Sequence, residues 1–357
     1  MSFNPIYPID LAFLPTKEPL KNEDFSEVLL KARVELAELK GAAGQIPNPL
    51  LLTAPLLVRE SVESSGVENI NTTVVKVLEN QLLPKDEQHA PDKEVLRYRE
   101  ALYWGAKAVG EFSLSNRTIL GIHKQLIEEH GGMYRREQNH IVNSKTGEIL
   151  YTPPLQERIP ELIGNWEKFV NDSKELDPLI RAAIAHQQFE SIHPFLDGNG
   201  RTGRILTVLQ LVRDEILDYP ILFISDYINK NRNEYYRLLR GVSMNDEWKE
   251  YISFMLQGFY LQAKETKETL KNIIVYHHEL KQKIKTEHSK IYSAELIEAL
   301  FLFPVITPTK LAEEIGIHYT TASGYLKTLE TADILHSMKV GRNHFYVNKK
   351  LVKMLSK

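Results

Sequence analysis

The chain of 357 residues has 43% hydrophobic and 25% charged residues, an ordinary globular composition that argues against disorder as its main state. Its 44 lysines and arginines nearly balance 47 acidic residues, so no bulk electrostatic field recruits nucleic acid or an anionic membrane. The absence of cysteine excludes disulfide frameworks, thiolate metal sites and cysteine nucleophiles.

The length predicts two or three domains, because domains typically hold roughly 100–200 residues. No apolar run approaches the ~20 residues of a membrane-spanning helix, and the N-terminus lacks the basic and apolar regions of a secretory signal. We therefore expect a cytoplasmic protein with no membrane partner. The predicted domains are an N-terminal helical region over 1–110, a core over 111–250, a connecting helix over 251–288 and a C-terminal domain over 289–357.

Helical periodicity dominates the chain. Apolar residues at i, i+3, i+4 and i+7 spacing predict helices over 24–43, 49–61, 71–80, 93–108 and 116–129, with a polar break at Ser64–Gly66 and a loop over 84–92. The same pattern predicts further helices over 155–170, 178–191, 201–216 and 231–242, and one long helix over 247–288.

A segment rich in β-formers interrupts this pattern. Residues 131–142 combine β-formers with turn residues, Thr146-Gly147 supplies a turn, and Ile149–Tyr151 leads into two prolines. The segment therefore predicts a small β-hairpin or flap within a helical domain.

The most informative stretch is HPFLDGNGRTGR, which runs from residue 193 to residue 204 between two predicted apolar helices. Two buried helices would hold the polar loop between them rigidly. Gly198, Asn199 and Gly200 can bring backbone N–H groups close to an anion. The helix that begins near Arg201 adds its positive N-terminal end, which also favours a phosphate.

Four side chains of this stretch suit phosphate chemistry. Arg201 and Arg204 lie three residues apart on one helix face, and guanidinium groups match phosphate oxygens. Asp197 is a hard oxygen ligand suited to Mg²⁺, and His193 titrates near neutrality and can accept a proton from a hydroxyl. Each residue alone has a structural explanation, as a packed histidine, a turn or a solvated face. Their conjunction in twelve residues predicts a phosphoryl-transfer site.

This stretch resembles the motif of the Fic family, H-P-F-x-D/E-G-N-G-R-x-x-R, at every defined position. Tyr134–Ile141, Tyr151–Pro154 and Asn231–Tyr236 are also similar to Fic proteins, so that the resemblance runs from about residue 50 to residue 245. It implies a mainly α fold, a Fic-type helical bundle with a β-hairpin flap. It also implies transfer of AMP from ATP to a Ser, Thr or Tyr hydroxyl of a target protein or of the chain itself.

The resemblance implies a role for each motif residue. His193 is the general base, and Asp197 holds the Mg²⁺ that bridges the α- and β-phosphates. The anion hole is formed by Gly198–Gly200, and the arginines bind the outer phosphates. The full set of nucleotide-binding residues is Gly198, Asn199, Gly200, Arg201, Thr202, Gly203, Arg204 and Asn231. The flap near Tyr134–Ile141 would dock the target protein by β-strand pairing.

Residues Ser64 to Asn69 resemble the inhibitory motif of Fic proteins, S/T-x-x-x-E-G/N. By this resemblance Glu68 pairs with Arg204 and takes the place of the γ-phosphate, so that ATP binds unproductively. A surface charge is the alternative explanation for Glu68. Because Gly66 weakens a helix by about 1 kcal/mol relative to Ala, we expect either a loose brake or a Glu68 at a helix end.

The C-terminal residues 289–357 predict a winged helix-turn-helix. Three short helices over 291–304, 308–315 and 320–330 precede two strand-like runs around Gly341, the expected wing. Nine lysines and arginines against six acidic residues give this segment a charge of +3, which is a thin electrostatic footprint for DNA. The sequence therefore leaves open whether this domain binds DNA or a protein partner.

The sequence thus predicts an ATP- and Mg²⁺-dependent protein adenylyltransferase that Glu68 inhibits. One alternative is a DNA-binding transcription regulator whose Fic-type core senses a nucleotide. Another is an enzyme of the same fold that transfers a different phosphate-containing group. Homodimerisation is common among similar proteins and is a further expectation.

Overall fold

The computed structural model describes residues 4–16, 19–44, 49–83, 87–142, 146–340 and 343–356. The predicted mainly α fold is confirmed. The helices are α1 (Ser26–Gly44), α2 (Pro49–Val67), α3 (Val74–Asn80), α4 (Ala90–Phe112), α5 (Asn116–Leu126), α6 (Ile159–Asp172), α7 (Pro178–Ile192), α8 (Asn199–Arg213), α9 (Ile224–Lys230), α10 (Arg232–Asn245), α11 (Trp248–Glu287), α12 (Ala294–Leu302), α13 (Pro308–Ile315), α14 (Tyr319–Thr331) and α15 (Lys349–Leu355). The strands are β1 (Ile141–Val142), β2 (Ile149–Tyr151), β3 (Val305–Ile306), β4 (His336–Val340) and β5 (Asn343–Val347).

Residues 1–40 and 97–264 form the first of two compact units. Its centre is the pair α7 and α8, which pack against each other, with α6 and α10 against α7 and α5 against α8. Both central helices are buried along nearly their whole length, as expected for helices that are not amphipathic. Asp177 caps α7 by accepting a hydrogen bond from the Leu179 N–H at 2.8 Å, and Pro178 supplies the favoured first helical residue.

The predicted hairpin is confirmed, and it is shorter than the flap segment. Strands β1 and β2 pair antiparallel, with Ile141 opposite Tyr151 and Val142 opposite Ile149. Gly147, at the turn, has a φ of +71°, which glycine adopts without steric cost. Residues 134–140 form no strand, and the Arg135 N–H donates to the Pro194 carbonyl in the loop after α7 instead of to a neighbouring strand.

Residues 41–96 and 265–357 form the second unit. Helix α12, the helix pair α13–α14 and the strands β4 and β5 follow one another in the order that the sequence predicts. The three strands form an antiparallel sheet in the order β3-β5-β4. Strand β3 and helix α15 were not predicted, because two and seven residues respectively are too short for a periodic signal. The predicted wing tip at Gly341 lies outside the described residues.

One predicted boundary in the second unit is wrong. The expected polar break at Ser64–Gly66 lies inside α2, which continues to Val67. Ser64 and Ser65 are fully buried, so their small side chains pack into the interior and do not mark a loop.

Within the described part of the chain, no helix combines the length and apolar content of a membrane span.

Candidate functional site

The motif segment forms a tight loop between α7 and α8. His193 ends α7 in the left-handed conformation, with φ +47° and ψ +60°, which is uncommon for a residue with a Cβ. Gly198, the residue before α8, has a φ of +75°. Its Cα faces Ile127, which a Cβ would approach to 3.0 Å. The loop that connects α7 to α8 thus begins and ends at a left-handed residue.

The Asn199 side chain holds the loop closed. Its Oδ1 accepts from the Phe195 N–H at 2.8 Å, and its Nδ2 donates to the Phe195 carbonyl at 2.8 Å. Both polar atoms of the Asn199 side chain thus form hydrogen bonds inside the loop. Asn199 is predicted to bind nucleotide, and its backbone N–H, in the first turn of α8, is the group that remains placed for that role.

His123 on α5 supports the loop from below, and sequence analysis missed it. Its ring stacks on Phe195 with centroids 3.6 Å apart and planes within 2°. Burial lowers the pKa of His123, so the ring is neutral at pH 7. Nδ1 accepts from the Gly132 N–H at 2.9 Å, and Nε2 therefore donates to the Asp197 carbonyl at 3.0 Å. A lone histidine on an apolar helix gives no sequence signal for this role.

Asp197 is the most exposed charged group of the loop. Its side chain is 74% accessible, whereas that of Arg201 is 2% accessible. One carboxylate oxygen accepts from the Gly198 N–H at 2.6 Å, and the other lies 3.2 Å from an Arg201 nitrogen. The carboxylate is thus oriented by two donors and still open to solvent. It is a single hard ligand, and the described residues contain no cluster of three or more metal-ligating side chains.

The first two turns of α8 bury two arginines. Arg201 and Arg204 are each 1% exposed, and Thr202 between them is fully buried. Gly203 faces α7, where a Cβ would come within 2.4 Å of a Glu190 carboxylate oxygen. The missing side chain thus lets the two helices approach closely. Two buried guanidinium groups and the N-terminal end of the helix concentrate positive charge at one point.

Behind these arginines lies a hydrogen-bonded chain of neutral groups. The hydroxyl of Tyr235 lies 2.8 Å from Nε2 of His186, and Nδ1 of His186 lies 3.0 Å from the Thr207 hydroxyl. The Thr207 hydroxyl donates to the Gly203 carbonyl at 2.9 Å. Burial, together with the positive charge of Arg204, lowers the pKa of His186 to about 3. His186 and Tyr235 are therefore structural residues that brace α8.

The neutral His186 predicts a pH dependence of stability. Unfolding restores an ordinary histidine pKa near 6.5, so the unfolded chain binds a proton between pH 6.5 and pH 3 that the folded chain does not. The free energy of unfolding should therefore decrease as the pH is lowered through this window, by about 2 kcal/mol at pH 5. Urea unfolding of wild type and His186→Gln at pH 7 and pH 5 measures this contribution. His89→Gln, at an exposed histidine, is the control, and an equal acid loss in His186→Gln would contradict the assignment.

Asn231 lies between α9 and α10. Its Nδ2 donates to the Tyr227 carbonyl at 2.9 Å, and its own carbonyl accepts from the Tyr235 N–H at 2.9 Å. The side chain thus closes the end of α9. A contact with the nucleotide base or ribose stays a prediction for this residue.

The segment that resembles an inhibitory motif ends α2 in the second unit. The Ile70 N–H donates to the Ser65 carbonyl and the Asn69 N–H to the Gly66 carbonyl, both at 3.0 Å. Asn69 is left-handed, with φ +65°. This is a Schellman C-cap, and it explains why a Gly or Asn follows the glutamate. Glu68 is half-buried and sits at the helix end, one of the two placements that the sequence predicts.

Comparison with known proteins places this geometry in a family. The Fic/DOC family model matches residues 113–211, and the Fic/DOC family N-terminal model matches residues 26–107. The chain belongs to the Fic/DOC family. A third model, Protein adenylyltransferase SoFic-like, C-terminal domain, matches residues 276–351, so the three models together span the core, the N-terminal helices and most of the C-terminal domain of this Fic protein.

Individual relatives are more distant. Protein adenylyltransferase Fic of Drosophila yakuba is 28% identical over 193 residues, which cover 51% of this chain and 36% of the relative. The chain thus spans about a third of the length of the curated relatives that it matches.

Two solved structures share the fold. A crystal structure of a Fic family protein from Desulfovibrio desulfuricans aligns with a TM-score of 0.56 at 18% identity, covering 92% of this chain and 98% of that one. A Fic domain containing signaling protein from Bacteroides thetaiotaomicron aligns with a TM-score of 0.56 at 18% identity, covering 69% of this chain and 97% of that one. At this identity the likeness extends to the fold alone.

Proposed function

We propose that this Fic protein is a protein adenylyltransferase, which transfers AMP from ATP to a Ser, Thr or Tyr hydroxyl of a target protein or of itself. The observation that carries the proposal is the α7–α8 loop, which puts a half-buried His193, an open carboxylate at Asp197 and two buried arginines around one helix N-terminus. The names of the curated relatives, adenylyltransferases that share the family, support it.

His193 is the proposed general base. The acceptor oxygen attacks the α-phosphorus of ATP while its proton passes to the His193 imidazole, and the bond from that phosphorus to the β-phosphate oxygen breaks. Pyrophosphate leaves and AMP stays on the acceptor oxygen. Such a transfer depends mainly on positioning and charge neutralisation. The left-handed turn at His193 is proposed to supply the positioning.

Backbone and guanidinium groups neutralise the phosphates in this proposal. The N–H groups of Gly198–Gly200 face the α- and β-phosphates at the start of α8, and Arg201 and Arg204 bind the outer phosphates. Thr202 and Gly203 belong to the same turn and are proposed as part of the nucleotide site through its backbone. Asn231 is proposed to contact the base or ribose.

The residues fit a magnesium ion. Mg²⁺ in nucleotide sites is usually held by one or two carboxylates together with phosphates and water, and Asp197 offers one oriented, solvent-open carboxylate. Asp197 would therefore hold Mg²⁺ with the phosphates of ATP. When bound, the ion supplies positive charge that neutralises the phosphate oxygens.

Glu68 is the proposed brake. A carboxylate paired with Arg204 would take the place of the γ-phosphate and repel it, and ATP would bind in a pose from which the α-phosphate cannot be attacked. The Schellman cap supports this role, because it fixes the orientation of the helix end that carries Glu68.

The target protein is proposed to dock at the flap near Tyr134–Ile141 by strand pairing. A cytoplasmic location is proposed as well and stays a prediction. DNA contact through residues 289–357 and homodimer formation stay predictions. A gel shift with genomic fragments tests DNA contact. Light scattering of the protein as it elutes from a size-exclusion column tests homodimer formation.

The proposal is tested by incubating the full chain with ATP and Mg²⁺ and measuring intact mass. The expected product is the chain, or a protein of an added lysate, with the mass gain of one AMP. Release of pyrophosphate with no AMP on any protein would point to a nucleotide hydrolase instead. A gain of a different phosphate-containing group would support the alternative transferase.

A further inference from the structure

A buried arginine ties the flap to the backbone of the catalytic loop. Arg135 is 3% exposed. Its Nε donates to the His193 carbonyl at 3.0 Å, and its own backbone N–H donates to the Pro194 carbonyl at 2.9 Å. Its terminal nitrogens donate to the Glu137 carbonyl at 3.2 Å and to the Pro154 carbonyl. One side chain thus holds the start of the flap, the segment after β2 and the residue His193 together.

These bonds require the geometry of arginine. A guanidinium presents five N–H groups in a fixed plane, whereas a lysine ammonium is a point charge on a flexible stem. A second flap side chain also donates to a backbone carbonyl: Gln138 donates to the Pro153 carbonyl at 3.0 Å. The segment 134–140 is therefore fixed through backbone acceptors both to the α7–α8 loop and to the residues after β2, in addition to the short β1–β2 ladder.

We propose that Arg135 is a positioning residue that sets the flap in register with His193 and so favours a protein hydroxyl over water as the AMP acceptor. The proposal rests on adenylyl transfer as the function. When a protein hydroxyl attacks the α-phosphorus, its chain must lie along the flap. When water attacks, the products are free AMP and pyrophosphate, its proton passes to His193, and no docking is needed. Loosening the flap against His193 therefore penalises only the protein reaction.

The test is the partition of labelled AMP between protein and solution. The full chain is incubated with α-labelled ATP and Mg²⁺, with itself and a cell lysate as acceptors. Arg135→Lys should lower the ratio of protein-bound to free AMP by roughly tenfold, since a misplacement of ~1 Å can cost as much as 10²-fold. Arg237→Lys, the same exchange at an arginine of α10 whose side chain is 52% exposed, should keep the wild-type ratio.

A merely structural arginine gives a different result. It would lower both products together and leave their ratio at the wild-type value, which would overturn the proposal. Gln138→Ala, which breaks the contact with Pro153 without removing a buried charge, should shift the ratio in the same direction by less. It keeps the test usable should Arg135→Lys not fold. If the wild type forms neither protein-bound nor free AMP, the proposed function fails and not the role of Arg135.

A second, independent observation concerns the helix that carries Glu68. In the second unit, α12 and α15 pack against α2, and β3 and α15 pack against α3. Arg59 of α2, which is 7% exposed, forms an ion pair with Glu265 near the middle of α11. The helix with the inhibitory motif thus shares its core with the C-terminal domain.

The geometry points to a C-terminal domain that holds the brake in place. Phe301 of α12 is fully buried, with its ring 5.5 Å from Tyr276 and 4.9 Å from His277. Loosening this core would weaken the packing that holds α2, and with it the proposed pairing of Glu68 with Arg204. This inference rests on the proposed inhibition by Glu68.

Two genetic backgrounds test the coupling. Phe301→Leu should raise self-modification severalfold in the wild type and leave it unchanged in Glu68→Gly, where the brake is already absent. Tyr319→Ala, at a 52% exposed residue of α14, is the control. Glu265→Gln, which weakens the ion pair with Arg59, is the second variant should Phe301→Leu not fold. No rise in the wild type, or an equal change in both backgrounds, would overturn the coupling, whereas a silent Glu68→Gly protein would count against the proposed function.

Discussion

Replacing His193 by Ala should abolish AMP transfer while ATP still binds. A positioned general base contributes typically 10²–10⁴-fold to a rate, and His193 begins the loop that leads into the N-terminus of α8. The nucleotide contacts proposed for Arg201, Arg204 and the loop N–H groups do not involve the imidazole, so the affinity for ATP should stay close to that of the wild type. Intact-mass measurement reports the transfer, and isothermal titration with ATP and Mg²⁺ reports the binding.

The backbone at residue 193 calls for a second variant. The left-handed conformation costs an ordinary residue roughly 1–2 kcal/mol, and Ala has no side chain to offset it. Asn tolerates this conformation better than most residues, so His193→Asn removes the base and keeps the turn. Both variants should be inactive. Full activity in His193→Asn would show that the imidazole is not the base, and activity lost only in His193→Ala would point to the turn.

Sequence patterns predicted the long elements well for a physical reason. Helices such as α6 and α11 carry enough residues for a 3.6-residue period to be recognised. The flap was predicted from β-formers and from Thr146-Gly147, because a left-handed glycine is what a tight turn needs. Two short helices, α9 and α15, were missed, because seven residues give a weak periodic signal, although α3 of the same length was predicted.

The candidate site was predictable where its residues are contiguous. The stretch from His193 to Arg204 is local in sequence, and its residue types state their chemistry. The supports of the site are not local. His123 and Arg135 reach the loop from residues that lie 74 and 58 positions away along the chain. Only the fold brings them to Asp197 and His193, and no one-dimensional pattern encodes such a contact.

The structure of the Glu68 segment also sharpens one sequence argument. Gly66 suggested a weakened helix, but α2 runs through it and ends one residue later. Asn69 takes the left-handed position that closes the Schellman cap. The cap restores through two backbone hydrogen bonds part of what the glycine loses, so the proposed brake rests on a defined helix end.

Glu68→Gly should raise the rate at which the chain attaches AMP from ATP to itself. Coupling free energies between sites are typically 1–3 kcal/mol, which corresponds to about 5- to 150-fold, and we expect an increase in this range. The physical reason is that the variant removes the carboxylate that is proposed to compete with the γ-phosphate for Arg204. The initial rate of incorporation from α-labelled ATP measures it. The same exchange in a His193→Ala background should leave the protein silent, because the brake acts on a reaction that needs the base.

Two neighbouring variants separate charge from backbone in this prediction. Glu68→Gln keeps the length of the side chain and removes its charge, so its rate should approach that of Glu68→Gly if repulsion of the γ-phosphate is the mechanism. Asn69→Gly keeps the left-handed residue that the cap requires, so its rate should equal that of the wild type. A Glu68→Gly rate equal to the wild-type rate would end the inhibitory assignment. A Glu68→Gln rate that stays low while Glu68→Gly is fast would show that the side chain blocks the site by its volume, and that the charge at Arg204 is not what excludes the productive pose of ATP.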